Sequence, residues 1–293
     1  MRTLGIILAG GRSTRLFPAT LATTKQLLPV FDKPLVYYPL STLMLMGIRE
    51  FVIITTPEEH DRFKTLFKGY EKELGITIKF ATQDKPNGIP EAFNIARNCV
   101  NIGSYDNTVL ILGDNIFYGS YMSKMLSDVR EKGKPAVVLK QVRAADAHRF
   151  GIADIQQETL VNIIEKPTME MAGNWAVTGL YFYPRDVYDR THLLTPSRRG
   201  ELEITDLNNT YIGDGWMEYV KLLRGMVWFD TGTPESLLDA SNLMRGLQEQ
   251  GMMVGSPHEI AYNNGWVKYD DLEKLCYRLR NSAYGQYLRE EVL

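Results

Sequence analysis

The residues best suited to chemistry lie at the start of the chain. In Leu4-Gly-Ile-Ile-Leu-Ala-Gly-Gly11 an apolar run ends in Gly10 and Gly11, and Arg12, Ser13, Thr14, Arg15 and then Lys25 follow. Glycines accept positive φ and let a ligand approach the backbone closely. Free backbone N–H groups with cations beside them make a polyphosphate cradle. The stretch is not G-x-x-x-x-G-K-[ST], and Arg12 and Arg15 stand where G-x-G-x-x-G needs glycines, which disfavours ATPase and dinucleotide-dehydrogenase chemistry. A tight strand-to-helix turn with surface arginines remains open beside the phosphate reading.

Two later runs end an apolar strand in a carboxylate. Val109-Leu-Ile-Leu-Gly-Asp-Asn115 carries Asp114, and Met226-Val-Trp-Phe-Asp-Thr-Gly232 carries Asp230. Either aspartate alone is a reasonable turn cap. Both together, in a chain with a phosphate-type loop, point to Mg2+, which takes one or two carboxylates with substrate phosphates and water. Leu160-Val-Asn-Ile-Ile-Glu-Lys-Pro167 ends in Glu165 and Lys166. A glutamate can accept from sugar hydroxyls and a lysine offers a compact charge to phosphate, while a solvated ion pair explains the same spacing. Gly200-Glu-Leu-Glu-Ile-Thr-Asp206 reads as an acidic helix start that complements the dipole. His60, His148, His192 and His258 are scattered without Ser or Cys partners, so a triad or zinc site has little support.

These groups need a frame. The 293 residues suffice for a large α/β domain, and a net charge of −2 provides no global field for nucleic acid or an anionic membrane. No apolar run approaches the ~20 residues of a membrane span, and the start of the chain reads as mature structure without a signal-peptide cleavage site. Cys99 and Cys276 read as buried free thiols in a reducing cytoplasm. Strands are expected at Leu4–Leu8, Phe51–Thr55, Ile76–Ala81 and Val109–Leu112, with helices at Pro34–Met46, Pro57–Lys68 and Pro90–Val100. This alternation implies a Rossmann-like, mostly parallel sheet with helices on both faces. After Asn115 the strands Ala136–Val142, Ile152–Ile155, Leu160–Glu165 and Ala176–Tyr183 have few helices between them, which implies a mixed-sheet half. Helices Pro184–Leu193 and Glu203–Ile212 follow, then a strand at Met226–Phe229. The end is helical, at Pro234–Gln250, Pro257–Asn263 and Asp270–Asn281. One continuous domain is expected.

Taken together, Gly5-Ile-Ile-Leu-Ala-Gly-Gly11, Thr14-Arg-Leu-Phe-Pro18, Lys25-Gln-Leu-Leu-Pro29, Leu112-Gly-Asp-Asn-Ile-Phe-Tyr-Gly119, Glu165-Lys-Pro167, Arg199-Gly-Glu-Leu-Glu-Ile-Thr-Asp206 and Asp230-Thr-Gly232 make a pattern. It resembles the sugar-nucleotide pyrophosphorylases and, within them, the glucose-1-phosphate thymidylyltransferase branch, over essentially the whole chain. The resemblance implies that glucose 1-phosphate attacks the α-phosphorus of dTTP, giving dTDP-glucose and pyrophosphate. It divides the chain into a nucleotide-binding half (1–115), a sugar-binding half (116–233) and a helical packing region (234–293).

By matching motif, Arg15, Lys25 and Lys166 become the catalytic cations. Leu8, Gly10, Gly11, Ser13, Thr14, Gln83 and Gly88 hold the nucleotide. Gly151, Glu165, Val177 and Tyr181 line the sugar pocket, and Asp114 and Asp230 hold Mg2+. The resemblance also implies a cytoplasmic homotetramer with feedback by dTDP-rhamnose, in a deoxysugar pathway. Ser13, Phe150, Pro90 and Glu91 depart from the family pattern, where Gly, Tyr, Ala and Gln are usual. A related transferase that prefers UTP or another sugar phosphate is the alternative, followed by a nucleotide-sugar sensor that has lost the chemistry.

Overall fold

A strand with no polar face must be covered on both sides. β1 (Thr3–Leu8) has Leu4, Ile6 and Ile7 without exposed surface. Its alternate residues enter different cores. Ile7 joins Leu40, Leu43, Phe51 and Ile53 on one face; Leu4 and Ile6 join Val52, Ile54, Phe93 and Leu110 on the other. The structure, a computed structural model, describes residues 1–11, 13–168 and 173–293, so Arg12 lies outside the described residues.

After β1 come a small hairpin, β2 (Pro29–Val30) and β3 (Lys33–Pro34), then α1 (Tyr37–Leu45), β4 (Glu50–Thr55), α2 (His60–Leu66), α3 (Tyr70–Leu74), β5 (Thr77–Thr82), α4 (Glu91–Cys99) and β6 (Asn107–Leu112). β7 (Asn115–Tyr118) and α5 (Met122–Lys132) lead into β8 (Ala136–Gln141), β9 (Gly151–Gln156), β10 (Thr159–Glu165) and β11 (Trp175–Pro184). Then follow α6 (Val187–His192), α7 (Ile204–Gly213), β12 (Glu218–Lys221) and β13 (Val227–Asp230). The last helices are α8 (Pro234–Glu249), α9 (Pro257–Asn263), α10 (Tyr269–Arg278) and α11 (Ala283–Tyr287).

The main sheet runs β10-β9-β11-β6-β1-β4-β5, with β8 on β11 and β12 on β8. β6, β1, β4 and β5 are parallel neighbours, and Leu8 stands between Ile54 and Leu112. β11 joins β6 antiparallel and opens the mixed half. The α/β sheet anticipated from the strand and helix alternation is therefore present. The carboxyl ends of β1 and β6 lie side by side, where open α/β sheets bind ligands. β7 and β13 form a separate antiparallel ribbon that sets Asn115 opposite Asp230.

Several expected boundaries shift. The helix expected from Pro34 starts at Tyr37, because Pro34 is paired with Pro29 in the hairpin. Pro184 likewise ends β11 instead of opening a helix. The mixed half holds an unanticipated helix, α5, although Met122, Leu126 and Val129 carry helical spacing and Gly133 ends it in the left-handed region. Its start has no side-chain cap, only Tyr121 at φ 64, so the usual entry signal is missing. α3, α11, β7 and β12 are short and were not anticipated either. Past β13, α8 opens on a reciprocal Thr233–Ser236 capping box and packs Ala240 and Met244 over Val30, Tyr38 and Ile116.

Candidate active site

The glycine turn begins where β1 stops. Gly10 and Gly11 face a cleft of about 450 Å³, and Gly11 has φ +121. Ser13, the departure from glycine, takes the conformation glycine would take, with φ 47 and ψ 36. That costs a non-glycine residue about 1 kcal/mol. The turn is held by its own carbonyl, which accepts from the Leu16 N–H at 3.0 Å and the Thr20 hydroxyl at 2.9 Å. Ser13 and the exposed Thr14 and Arg15 lie outside the wall of the cleft itself.

One end of the cleft gathers Leu8, Gly10, Gln83 and Gly88, the residues expected to meet a nucleoside. The Gln83 amide donates to the Gly88 carbonyl at 3.2 Å. Gln83 Oε1 lies 3.3 Å from where a Cβ on Gly10 would stand. Gly88 has φ +102 and is bridged to Leu202, whose carbonyl a side chain here would strike. The neighbouring departures point elsewhere: Pro90 precedes α4, and Glu91 accepts from Asn94 at 3.2 Å.

The other end carries the expected sugar and phosphate groups. Glu165 closes β10, and its carboxylate accepts from the Thr205 hydroxyl at 2.6 Å. Lys166, at φ 44, turns its ammonium back to within 3.3 Å of Glu165. Arg199 reaches the same carboxylate at 3.7 Å and pairs with Glu203 at 2.7 Å. A Cβ on Gly151 would stand 3.4 Å from both Glu165 Oε2 and Thr205 Oγ1, so this glycine leaves room beside them. Val177 and Tyr181 do not line the cleft and are buried in the core. Burial first, then the charges of Glu165 and Asp114, push the Tyr181 phenol well above its ordinary pKa, so its hydroxyl stays protonated.

A cluster of charges lies off the wall of this cleft, with Asp230 on a different cavity beside Arg149 and Phe150. The Lys25 ammonium sits on the Asp114 carboxylate, and both are nearly buried. Asn115 orients that carboxylate, donating to Asp114 Oδ1 at 2.8 Å. Its own Oδ1 accepts from the Gly179 N–H at 3.1 Å and the Trp228 indole at 2.6 Å. The Thr231 hydroxyl donates to the Asp114 carbonyl at 2.8 Å, tying the turn after β13 to the end of β6. Burial disfavours the Asp114 anion, yet Lys25 more than offsets this and holds the carboxyl below its usual range. Burial and then the neighbouring Asp114 charge raise Asp230, with Lys25, Arg15 and Arg149 only partly opposing them. Arg15 Nη2 and Asp230 Oδ1 lie 2.7 Å and 3.2 Å from where a Cβ on Gly232 would be.

Two adjacent, partly buried carboxylates with an unmet demand for positive charge fit a hard divalent cation that takes its remaining ligands from phosphate and water. Among the described residues no group of three or more His, Cys, Asp or Glu side chains is placed to hold a metal, so an all-protein cage is not built here. Asn115, Thr231, Thr205 and Arg199 were not singled out from the sequence. Each lies beside or inside a motif that was, which is the signal that could have found them. Phe150 packs against Trp228 with ring centroids 5.1 Å apart and the rings tilted by 59°, and brings no hydroxyl to the site. The two cysteines carry free thiols far from these groups, and no helix among the described residues is long and apolar enough to cross a membrane.

Comparison with known proteins shows the family of the chain. The pattern of the family Nucleotidyl transferase matches residues 4–246. A glucose-1-phosphate thymidylyltransferase of Neisseria gonorrhoeae is 43% identical over 285 residues, 97% of each chain. That of Xanthomonas campestris pv. campestris is 44% identical, over 97% of this chain and 95% of its own. A Bacillus anthracis crystal structure, provisionally assigned as a glucose-1-phosphate thymidylyltransferase and solved with sucrose, superposes with a TM-score of 0.74 at 37% identity, over 83% of this chain and 95% of that one. A UDP-glucose pyrophosphorylase with UDP-glucose shares the fold, with a TM-score of 0.72 at 22% identity, over 84% of this chain and 99% of that one.

Proposed function

The chain belongs to the nucleotidyl transferase family, and we propose that it moves a thymidylyl group from dTTP to glucose 1-phosphate, giving dTDP-glucose and pyrophosphate. It is a nucleotidyltransferase; the choice of dTTP and glucose 1-phosphate is the proposal. The observation that carries it is the clustering of Lys25, Asp114, Asp230 and Arg15 in a chain whose main cleft brings Gln83 and Gly88 together with Lys166 and Arg199.

In this reading the sugar phosphate, anionic at neutral pH, attacks in line and needs no general base. Lys166 and Arg199 hold it, and Glu165 accepts from its sugar hydroxyls. Arg15 and Lys25 grip the triphosphate and offset the charge that builds on it. Positioning and charge stabilisation then supply the rate. Mg2+ held by Asp114 and Asp230 would neutralise phosphate oxygens at the reacting phosphorus. Gln83 can present both a donor and an acceptor to the edge of a pyrimidine.

Pyrophosphate release measured across dTTP, UTP and several sugar 1-phosphates tests the reading. A higher kcat/KM for dTTP with glucose 1-phosphate than for any other pair is expected, and a strong UTP preference would overturn it. Release with no pair would instead favour a sensor.

We infer further that 1–115, 116–233 and 234–293 act as one domain in a cytoplasmic homotetramer under feedback by dTDP-rhamnose, in deoxysugar synthesis. A second cavity of about 250 Å³, lined by Leu45, Tyr118, Met122 and Glu259 at the far end of β7 from Asn115, supports an effector site. Free Cys99 and Cys276 support a reducing compartment. A monomer in light scattering would refute the tetramer.

A further inference from the structure

We propose that Lys25 keeps the metal's place in the free protein, so that the divalent ion enters together with the nucleotide and not ahead of it. The inference deepens the metal reading of Asp114 and Asp230 given above.

Two partly buried carboxylates side by side repel each other, and each is costly without a compensating cation. The free protein meets part of that cost from within. The Lys25 ammonium lies on Asp114, and the Arg15 guanidinium lies beside Gly232, as does Asp230 Oδ1. Both cations come from the segment that follows the glycine turn, on the short helical turns Thr14–Leu16 and Lys25–Leu27. The backbone at Lys25 is fixed: Leu28 N–H donates to the Lys25 carbonyl at 3.0 Å, and Val36 N–H to the Gln26 carbonyl at 2.9 Å. Only the flexible stem of the lysine has to move for its three donors to find new acceptors.

An ion arriving alone would have to displace that ammonium and then sit beside it and a guanidinium. An ion arriving with a nucleoside triphosphate brings phosphate oxygens that both cations can take as new partners. The carboxylates are then released to the ion as the cations leave them. Ion and nucleotide therefore favour each other's binding, and by linkage the coupling is reciprocal.

The test is direct titration of the full-length, nucleotide-free protein with Mn2+ standing in for Mg2+, reading free Mn2+ by electron paramagnetic resonance. Lys25→Met, which removes the charge and keeps the stem, is expected to bind Mn2+ at least tenfold more tightly than wild type. Lys25→Arg should stay weak, and adding Asp114→Asn to Lys25→Met should abolish the gain. Equal or weaker binding by Lys25→Met would overturn the proposal, as would tight binding by the free wild type. If Lys25→Met does not fold, Lys25→Gln is read by the same criteria. Turnover plays no part in this readout, so a wrong substrate assignment would show in pyrophosphate release while leaving the Mn2+ result standing.

Discussion

Lys25 and Lys33 are both withdrawn from water and both paired with an aspartate, yet they do opposite things. Lys33 is 2% exposed and is enclosed by partners that cannot leave. Its ammonium donates to Asp32 at 2.6 Å and to Gln248 at 2.8 Å, and lies 5.4 Å from the centre of the Tyr284 ring. Burial lowers its pKa and Asp32 only partly restores it. The group fastens α8 and α11 to the hairpin of β2 and β3. Lys25 instead has Asp114, with a second carboxylate next to it that is still short of positive charge. Burial of a polar group does not by itself distinguish a structural pin from a site. A local surplus of like charge, held where a cleft can deliver the counter-charge, does.

The sharpest way to break this contrast is at the site. Arg15→Ala is expected to lower kcat by about 10²–10³-fold, the scale for losing one preorganised charge-stabilising group. Its melting temperature should stay near that of wild type, because Arg15 is exposed. Near-normal turnover would remove it from the triphosphate grip. Asp230→Asn should raise the Mg2+ concentration needed for half-maximal rate at least tenfold, and an unchanged requirement would take Asp230 out of the metal site.

The pin should respond in the reverse sense. Lys33→Met is expected to cost about 3 kcal/mol of stability by chemical denaturation, as for a buried pair that loses one partner. The folded fraction should turn over at the wild-type rate. A loss of kcat without a loss of stability would erase the distinction between the two lysines.

A smaller effect is expected from pH in the same helical region. Burial holds His258 neutral, with its pKa lowered from 6.5 to about 3. The unfolded chain therefore takes up a proton that the folded chain refuses. The stability from neutral His258 is complete above pH 6.5 and is lost as pH falls from there towards 3, about 2 kcal/mol between pH 7 and 5. His258→Gln should flatten that slope, and an unchanged slope would assign the acid lability to other groups. Smallest of all, Ser13→Gly should change turnover by less than about threefold, because the turn already has the conformation glycine prefers.

Much of this was legible in the sequence. Apolar runs and their spacing located the strands of the parallel sheet, since burial on both faces demands continuous apolar residues. Asp114, Asp230, Glu165 and Lys166 stood out because polar groups that end such runs sit at the rim where ligands bind. Pro34 and Pro184 misled, because proline tolerates a strand edge as well as a first helical turn. α5 escaped because its entry uses a left-handed tyrosine in place of a capping side chain.

By itself, the sequence determined which chemical types stand at the strand ends and which strands are buried on both faces, because hydrophobic periodicity and side-chain chemistry are local. Tertiary structure decided which of those groups meet. Asn115 faces Asp230 through the register of β7 and β13, and Lys25 reaches Asp114 across 89 positions of chain. No local propensity encodes such pairings; they follow from how strands align once their apolar faces are buried, and only then does one aspartate acquire a lysine and the other remain in want of a cation.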